Sequence, residues 1–355
     1  MSKNGFIRKG AYVFHGLRKR FLRRPFPRVR DHASEITEVC PAERGVMPAP
    51  VTLAGHTSRA TGNAHGDDVA DYVMYATMTT CVHSATLLYR VEDVVLDNGF
   101  LYKGTLAEYV SSLGWPRNRK PEILEQMVLT ASQSGSGFFG DWLTADNLLE
   151  LLANSLGIAP LKVQPHVHYP HLRELNRLLN LKEGYSDMVS VRNLYIVDDA
   201  GYNANKRIRL QTLRSNLRKN LRKDDCRNGL VYIYRGEGHQ SVRRLVNERE
   251  VVDFLARKGF QFLDPTKLSA AEILAGTLNS RVVVGVEGSQ LAYGFLSLKE
   301  GGLMMTLQPP SRFESSWRPQ CVSVGVDWGF LVGVEVPGGF TISPAELEEV
   351  LEPFI

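Results

Sequence analysis

Residues 230–286 read LVYIYRGEGHQSVRRLVNEREVVDFLARKGFQFLDPTKLSAAEILAGTLNSRVVVGV, and their rhythm decides the fold class. Apolar runs at Leu230–Tyr234, Gln261–Leu263 and Val282–Val286 have strand length, and stretches near Glu248–Lys258 and Ala270–Leu278 have helix length. Working outward, the alternation continues through a helical start after Gly288 to a strand at Leu303–Leu307. In the other direction it reaches a basic helical stretch, Lys206–Lys223, and a strand at Asn193–Val197. Such alternation predicts an α/β fold with a parallel sheet and right-handed crossovers. Further upstream, Tyr72–Thr80, Ala85–Tyr89, Val94–Leu96 and Phe100–Tyr102 are broken by Asp-Asn-Gly and Lys-Gly turns and predict strands and hairpins. Residues 31–66 predict extended structure and loops, and Ser343–Phe354 predicts a closing helix with one apolar stripe.

Composition narrows the class. The chain has 355 residues, 43% hydrophobic and 23% charged, with 42 Lys+Arg against 38 Asp+Glu for a net charge of +4. Disordered, collagen-like and disulfide-knot proteins are excluded, and the length allows two domains. Cys40, Cys81, Cys226 and Cys321 form no C-x-x-C pair, so a reduced, cytoplasmic protein is expected. No apolar run has the ~20 residues of a membrane-spanning helix. Basic residues from Lys3 to Arg30 precede the first acidic one, Asp31. This arm either lies on an anionic membrane, at ~1 kcal/mol per basic residue, or is a solvated tail.

In a parallel sheet, ligands bind beyond the carboxyl ends of the strands. There stand Arg235, Gly236-Glu-Gly238 and Arg243-Arg-Leu-Val-Asn-Glu248, and, one strand later, Glu287-Gly-Ser-Gln-Leu-Ala-Tyr293. A guanidinium offers a planar fork of donors matched to phosphate oxygens, and glycine lets backbone approach a ligand closely. The plainer reading is helix caps and solvated arginines, with Asn247 a cap and Glu248 a first-turn charge. Upstream, Ser134-Gly-Ser-Gly-Phe-Phe-Gly-Asp141-Trp-Leu-Thr-Ala-Asp146 leads into a leucine-rich helix. Asp141 and Asp146 are candidates for a general base, or for caps of that helix. His166, His168 and His171 have spacings that suit zinc, but no nearby Cys completes a structural site, and His239 adjoins the Arg235 loop.

The order of these pieces resembles glycosyltransferase family 61, inverting sugar transferases of GT-B architecture. The likeness rests on Tyr232-Ile-Tyr-Arg235, Arg243-Arg-Leu-Val-Asn-Glu248, Lys258-Gly-Phe260, Lys267-Leu-Ser269, Val284-Gly-Val-Glu-Gly-Ser289 and Gln308-Pro-Pro310, over about residues 190–315. Phe139-Gly-Asp-Trp-Leu-Thr-Ala-Asp-Asn-Leu148 looks like the family's His-Trp-Leu-x-Asp-x-Leu segment. Departures are Asp141 and Glu287 where histidine is usual, Ser289 for alanine, Tyr293 for His or Asn, and Asp146 one residue later than the family's acid.

The resemblance implies an α/β, GT-B-like fold of two Rossmann-like lobes with an interlobe cleft. It divides the chain into a basic arm (1–30), an acceptor lobe (31–188), a donor lobe (189–340) and a closing helix (341–355). It implies a nucleotide-sugar donor held by Arg235, Arg243, Arg244, Asn247, Glu248, Glu287, Gly288, Ser289 and Tyr293, and a glycan or polysaccharide acceptor deprotonated by Asp141 or Asp146. No cofactor and no metal are expected, and the chain contains no Asp-x-Asp. Capsule or exopolysaccharide synthesis of the bacterial subset, at the inner face of the membrane, is the implied setting. Two alternatives stand beside it. One is a nucleic-acid-binding protein using the arm and the basic residues of 206–227, although no known nucleic-acid motif is present and none is expected as a partner. The other is a degenerate transferase that binds without turnover.

Overall fold

The computed structural model describes residues 8, 27–111, 114–117, 119–221, 229–236 and 241–355. The chain forms two compact units, each from three segments. The first takes residues up to Glu43, His83–Pro170 and Leu181–Arg209; the second takes Arg44–Val82, His171–Asn180 and Leu210–Ile355.

The first unit is built on a seven-stranded sheet of β1 (Glu35–Cys40), β2 (Thr86–Asp97), β3 (Phe100–Lys103), β4 (Leu106–Tyr109), β5 (Glu122–Leu129), β6 (Pro160–Leu161) and β7 (Met188–Asp198). Its order is β4-β3-β2-β7-β5-β6, with β1 also on β2. Pairing is antiparallel except for β5 with β7 and with β6. This mixed sheet differs from the parallel sheet expected of a second Rossmann-like lobe; in β2-β3-β4 short hairpin turns make neighbours run antiparallel. Asn98 (φ 51°) and Gly99 (φ 86°) make one such turn, and a Cβ on Gly99 would fall 1.1 Å from the Ser111 carbonyl oxygen. The strand read as opening the carboxyl-terminal half, β7, is central to this sheet.

The second unit carries the predicted parallel sheet: β8 (Leu230–Ile233), β9 (Gln261–Leu263), β10 (Val282–Val286), β11 (Leu303–Gln308) and β12 (Asp327–Val332), in the order β9-β8-β10-β11-β12. Every pairing is parallel. Helices Glu248–Arg257, Ala270–Thr277, Leu291–Ser297 and Trp317–Ser323 connect consecutive strands. All residues of β8, β10 and β11 are buried, as expected for strands covered on both faces. From β8 the chain steps to β9 on one side and then crosses to β10 on the other, so the topological switch point lies between β8 and β10. The closing helix forms at Pro344–Leu351 and buries Leu347, Val350 and Leu351.

One upstream element differs from expectation. Tyr72–Thr80, read as a strand from its aromatic and β-branched residues, lies largely in a helix, Val69–Thr77. Asp68 caps it, accepting from the Ala70 N–H at 2.9 Å. The cap and burial of Ala76 outweigh the modest strand propensity of the sequence.

Candidate functional site

The switch point of the second unit gathers guanidinium groups. Arg235 follows β8, and its Nη1 donates to the Glu287 carbonyl beyond β10. Gly288 makes this approach possible: its φ is 153°, and a Cβ there would lie 1.8 Å from Arg235 Nη1. The Glu287 carboxylate is 5% exposed and takes Arg243 at 3.3 Å and Arg312 at 3.4 Å on one oxygen. Two guanidiniums thus pair with the carboxylate and a third lies on the same residue's carbonyl, so three positive charges gather about one negative. Burial, with Arg243 and Arg312 adding repulsion and Glu287 opposing, lowers the Arg235 pKa to about 10. The group stays charged at neutral pH, and an arriving anion relieves the repulsion.

A cavity of about 1200 Å³ opens beside this cluster. Arg235, Arg243, Arg244, Arg249 and Lys267 line it with positive charge, Glu248 and Asp264 with negative charge, and Tyr234, Leu245, Val246 and Val286 with apolar surface. Glu248 accepts from the Tyr232 hydroxyl at 2.8 Å, and burial raises its pKa against that bond. Asp264 follows β9 and accepts from the N–H and hydroxyl of Thr266 at 3.0 and 2.7 Å, with Lys267 at 2.9 Å. These contacts outweigh burial, its largest influence, and lower its pKa. Gly236 (φ 83°) lets the turn after β8 lie against Thr266.

Of the residues expected to hold a donor, Arg235, Arg243, Arg244 and Glu248 line the cavity, and Glu287 and Gly288 organise its arginines. Asn247, Ser289 and Tyr293 are not among its lining. The Asn247 amide clamps Ile342, giving to its carbonyl at 2.9 Å and taking its N–H at 3.1 Å, and makes no cap. Tyr293 is 4% exposed, with its hydroxyl 2.5 Å from His171 Nδ1. Sequence reading missed Asp264, Lys267 and Arg312. Asp264 alone had a signal, an acid directly after the second strand of a βαβ unit.

The first unit holds the two candidate carboxylates. Ser132 caps the short helix Gln133–Gly137 through the Gly135 N–H at 3.0 Å. Then come a turn at Phe139–Asp141, a π-helical turn at Trp142–Asp146 and the helix Asn147–Ser155. Neither Asp141 nor Asp146 caps a helix with its side chain. A π turn accommodates one extra residue in a helix and is frequent at functional sites. Asp146 is 4% exposed and accepts from the Ser132 hydroxyl at 2.7 Å and its N–H at 3.1 Å. Burial raises its pKa to about 7 against the Ser132 bonds, and the negative charge of Asp141 pushes the same way. Phe139, Trp142 and Tyr169 pack with ring centroids 5.6–5.9 Å apart, and the Tyr169 hydroxyl donates to the Gly135 carbonyl at 3.0 Å.

The zinc reading of the histidines finds no support. His166 Nδ1 lies 2.9 Å from the Ser136 hydroxyl, and His171 meets Tyr293. Among the described residues no three His, Cys, Asp or Glu side chains are grouped to hold a metal. His239 lies outside the described residues, as do Glu237, Gly238, Arg222, Lys223 and Arg227.

The basic stripe is corrected as well. Lys206, Arg209 and Arg214 are buried. In the first unit, Arg209 forks onto Asp199 at 2.6 and 3.0 Å, Lys206 donates to the Asp199 carbonyl at 2.6 Å, and Arg207 pairs with Glu43. In the second, Arg214 and Arg218 hold the carbonyl of Leu298, and Arg214 that of Phe295. The stretch Lys206–Arg218 turns its charges inward to the protein and presents no continuous face to a phosphate backbone. The arm lies mostly outside the described residues, yet Arg8 is buried against Asp97 at 3.0 Å and Arg30 pairs with Asp198 at 2.9 Å. Among the described residues no helix is long and apolar enough to cross a membrane.

Comparison with known proteins agrees with the sequence. A family model described as Glycosyltransferase 61 matches residues 76–304. No curated protein matches the chain. Among solved structures, the crystal structure of a flavodoxin-like domain from a Synechococcus sp. protein matches at 9% identity and a TM-score of 0.26. It covers 35% of this chain and 91% of its own length, and at that score it carries no argument.

Proposed function

Because the chain belongs to glycosyltransferase family 61 and is a glycosyltransferase, we propose that it is an inverting, metal-independent enzyme that moves a sugar from a nucleotide-sugar donor to a glycan or polysaccharide acceptor. The observation that carries this reading is the cluster at Glu287, whose carboxylate takes Arg243 and Arg312 and whose carbonyl takes Arg235, at the switch point of a parallel sheet and beside a cavity of about 1200 Å³. Such an excess of fixed positive charge suits a diphosphate, above all as the leaving group gains charge. Basic side chains then do what a divalent ion does in other sugar transferases. Asp264 and Glu248 stand across the same cavity as acceptors for donor hydroxyls.

We further propose that the second unit holds the donor and that the base belongs to the first. Asp146 is the base we favour over Asp141, since a carboxyl held near pH 7 is poised to take a proton under working conditions. The acceptor oxygen attacks the anomeric carbon in one displacement, the bond to the diphosphate breaks with its electron pair leaving on the diphosphate, and the configuration inverts. The family extends the proposal to capsule or exopolysaccharide assembly at the cytoplasmic face of a bacterial membrane, which an anchored basic arm would serve.

Thermal stabilisation by nucleoside diphosphates and nucleotide sugars, with and without EDTA, tests the reading. At 100 times its dissociation constant a true ligand adds ~2.7 kcal/mol. Stabilisation by one nucleotide series, indifferent to EDTA and absent in Arg235→Ala, is expected. No response to any nucleotide sinks the donor assignment.

A further inference from the structure

Asp146 has no direct way to reach an acceptor. Both carboxylate oxygens are turned to Ser132, and Gly135 is so close that a Cβ on it would lie 2.0 Å from Oδ2. The carboxyl's outlet is the Ser132 hydroxyl, and Ser132 Oγ lies 3.1 Å from Ser134 Oγ. Ser134 is exposed. The hydrogen bonds also have a direction. With Asp146 ionised, the Ser132 hydroxyl gives its proton to Oδ1 and accepts the Gly135 N–H. In the contact with Ser134 it must therefore accept again, and Ser134 is the donor. Both protons point inward, and the outer oxygen is left with lone pairs toward solvent.

We infer that Ser134 and Ser132 form a two-hydroxyl relay that carries the acceptor proton to Asp146. The inference rests on the reading of Asp146 as base. As the acceptor oxygen bonds to the anomeric carbon, its proton passes to Ser134 Oγ, the Ser134 proton to Ser132 Oγ and the Ser132 proton to Asp146 Oδ1. The anomeric carbon releases the diphosphate with the bonding pair. Both serines end as they began, and one proton has moved from the acceptor to the carboxyl. Ser134 is then the side chain that touches the acceptor, and Ser132 passes its proton on.

Capping explains Ser132 without any relay, since its hydroxyl takes the Gly135 N–H. It does not explain a need for the hydroxyl at Ser134, and the test turns on that residue. Thr and Val have the same shape and differ in the hydroxyl. Ser134→Thr and Ser134→Val are compared in the full chain, with Asp146→Asn beside them. The probe is the best-binding member of a panel of uridine, guanosine and cytidine nucleotide sugars, and water serves as acceptor. Release of nucleoside diphosphate is followed from pH 5 to 9. Ionisable groups acting on Asp146 are Asp141 and Tyr169 of its own unit, and both are kept.

Turnover is expected to be about 10–100-fold slower in Ser134→Val than in Ser134→Thr, a share of the 10²–10⁴ that a general base contributes. KM for the donor and the pH midpoint should be the same in both, and Asp146→Asn should abolish the rise of rate with pH. Equal turnover of the Thr and Val variants overturns the relay while leaving Asp146 as base. Full activity of Asp146→Asn overturns the base and the relay together. Failure of every nucleotide sugar to bind or react overturns the donor assignment, and the relay with it.

Discussion

Replacing Asp146 by Asn has a stability consequence whose sign and size follow from its burial. In the folded chain the carboxyl titrates at about 7, against 3.8 for an ordinary aspartate. Between those values the folded state holds a proton that the unfolded state has lost. Stability from this group is therefore complete below about pH 4 and is lost as pH rises toward 7. Roughly three pH units at 1.36 kcal/mol each amount to about 4 kcal/mol. Asparagine has the shape of the protonated acid, and its amide can donate to Ser132 Oγ without titrating. Urea unfolding of both proteins at intervals from pH 4.5 to 8.5 measures the effect. Other shifted carboxyls, such as Glu108, Glu248 and Glu314, are common to both chains and cancel in the difference. Relative to wild type, the variant should gain stability progressively, by about 3 kcal/mol across the range, while losing turnover. A difference that does not change with pH, or that favours wild type at high pH, refutes the account of Asp146 as a carboxyl forced toward neutrality by burial.

Three further outcomes follow from the contacts described. Gly288→Ala should lose diphosphate-induced stabilisation as fully as Arg235→Ala, because the added Cβ occupies the place of the Arg235 guanidinium; unchanged nucleotide binding by calorimetry argues against the arginine cluster as the anion site. Glu287→Gln should lower the melting temperature without ligand, by leaving Arg243 and Arg312 without their carboxylate, yet increase the shift produced by pyrophosphate; movement of both in the same direction contradicts the proposed charge balance. Arg318 is 1% exposed and donates to the carbonyls of Tyr75, Pro48 and Met78 at 2.7, 2.8 and 2.6 Å. With a buried acceptor left unsatisfied costing about 1–3 kcal/mol each, Arg318→Ala should destabilise by about 3 kcal/mol or more in denaturant unfolding; a loss below 1 kcal/mol contradicts this.

How far the sequence could be read depended on whether a signal was local. Strands β8 and β10 are buried on both faces, so their apolar runs stand out, and the arginine and glycine after them mark the ends where a parallel sheet binds ligands. The helix at Val69–Thr77 was hidden because its valines and tyrosines suit a strand, and only Asp68 announces it. Composition misled in the stretch from Lys206 to Arg218, where a row of cations looks like a surface for nucleic acid. Their partners are Asp199, Glu43 and the carbonyls of Phe295 and Leu298, at separations that no local pattern encodes. Arg312 was missed for the same reason, since it meets Glu287 from across another strand of the sheet. Asp146 is the instructive intermediate case. Counting along the chain put it one residue later than the family's acid, and spacing gave no sign of its burial or of its bonds to Ser132. Its carboxyl lies against Ser132, burial raises its pKa to about 7, and in the relay we propose it meets a substrate through hydroxyls. A base assigned from spacing alone would have been placed in contact with the acceptor, whereas the folded chain makes the exposed hydroxyl of Ser134 the group whose loss should be felt first.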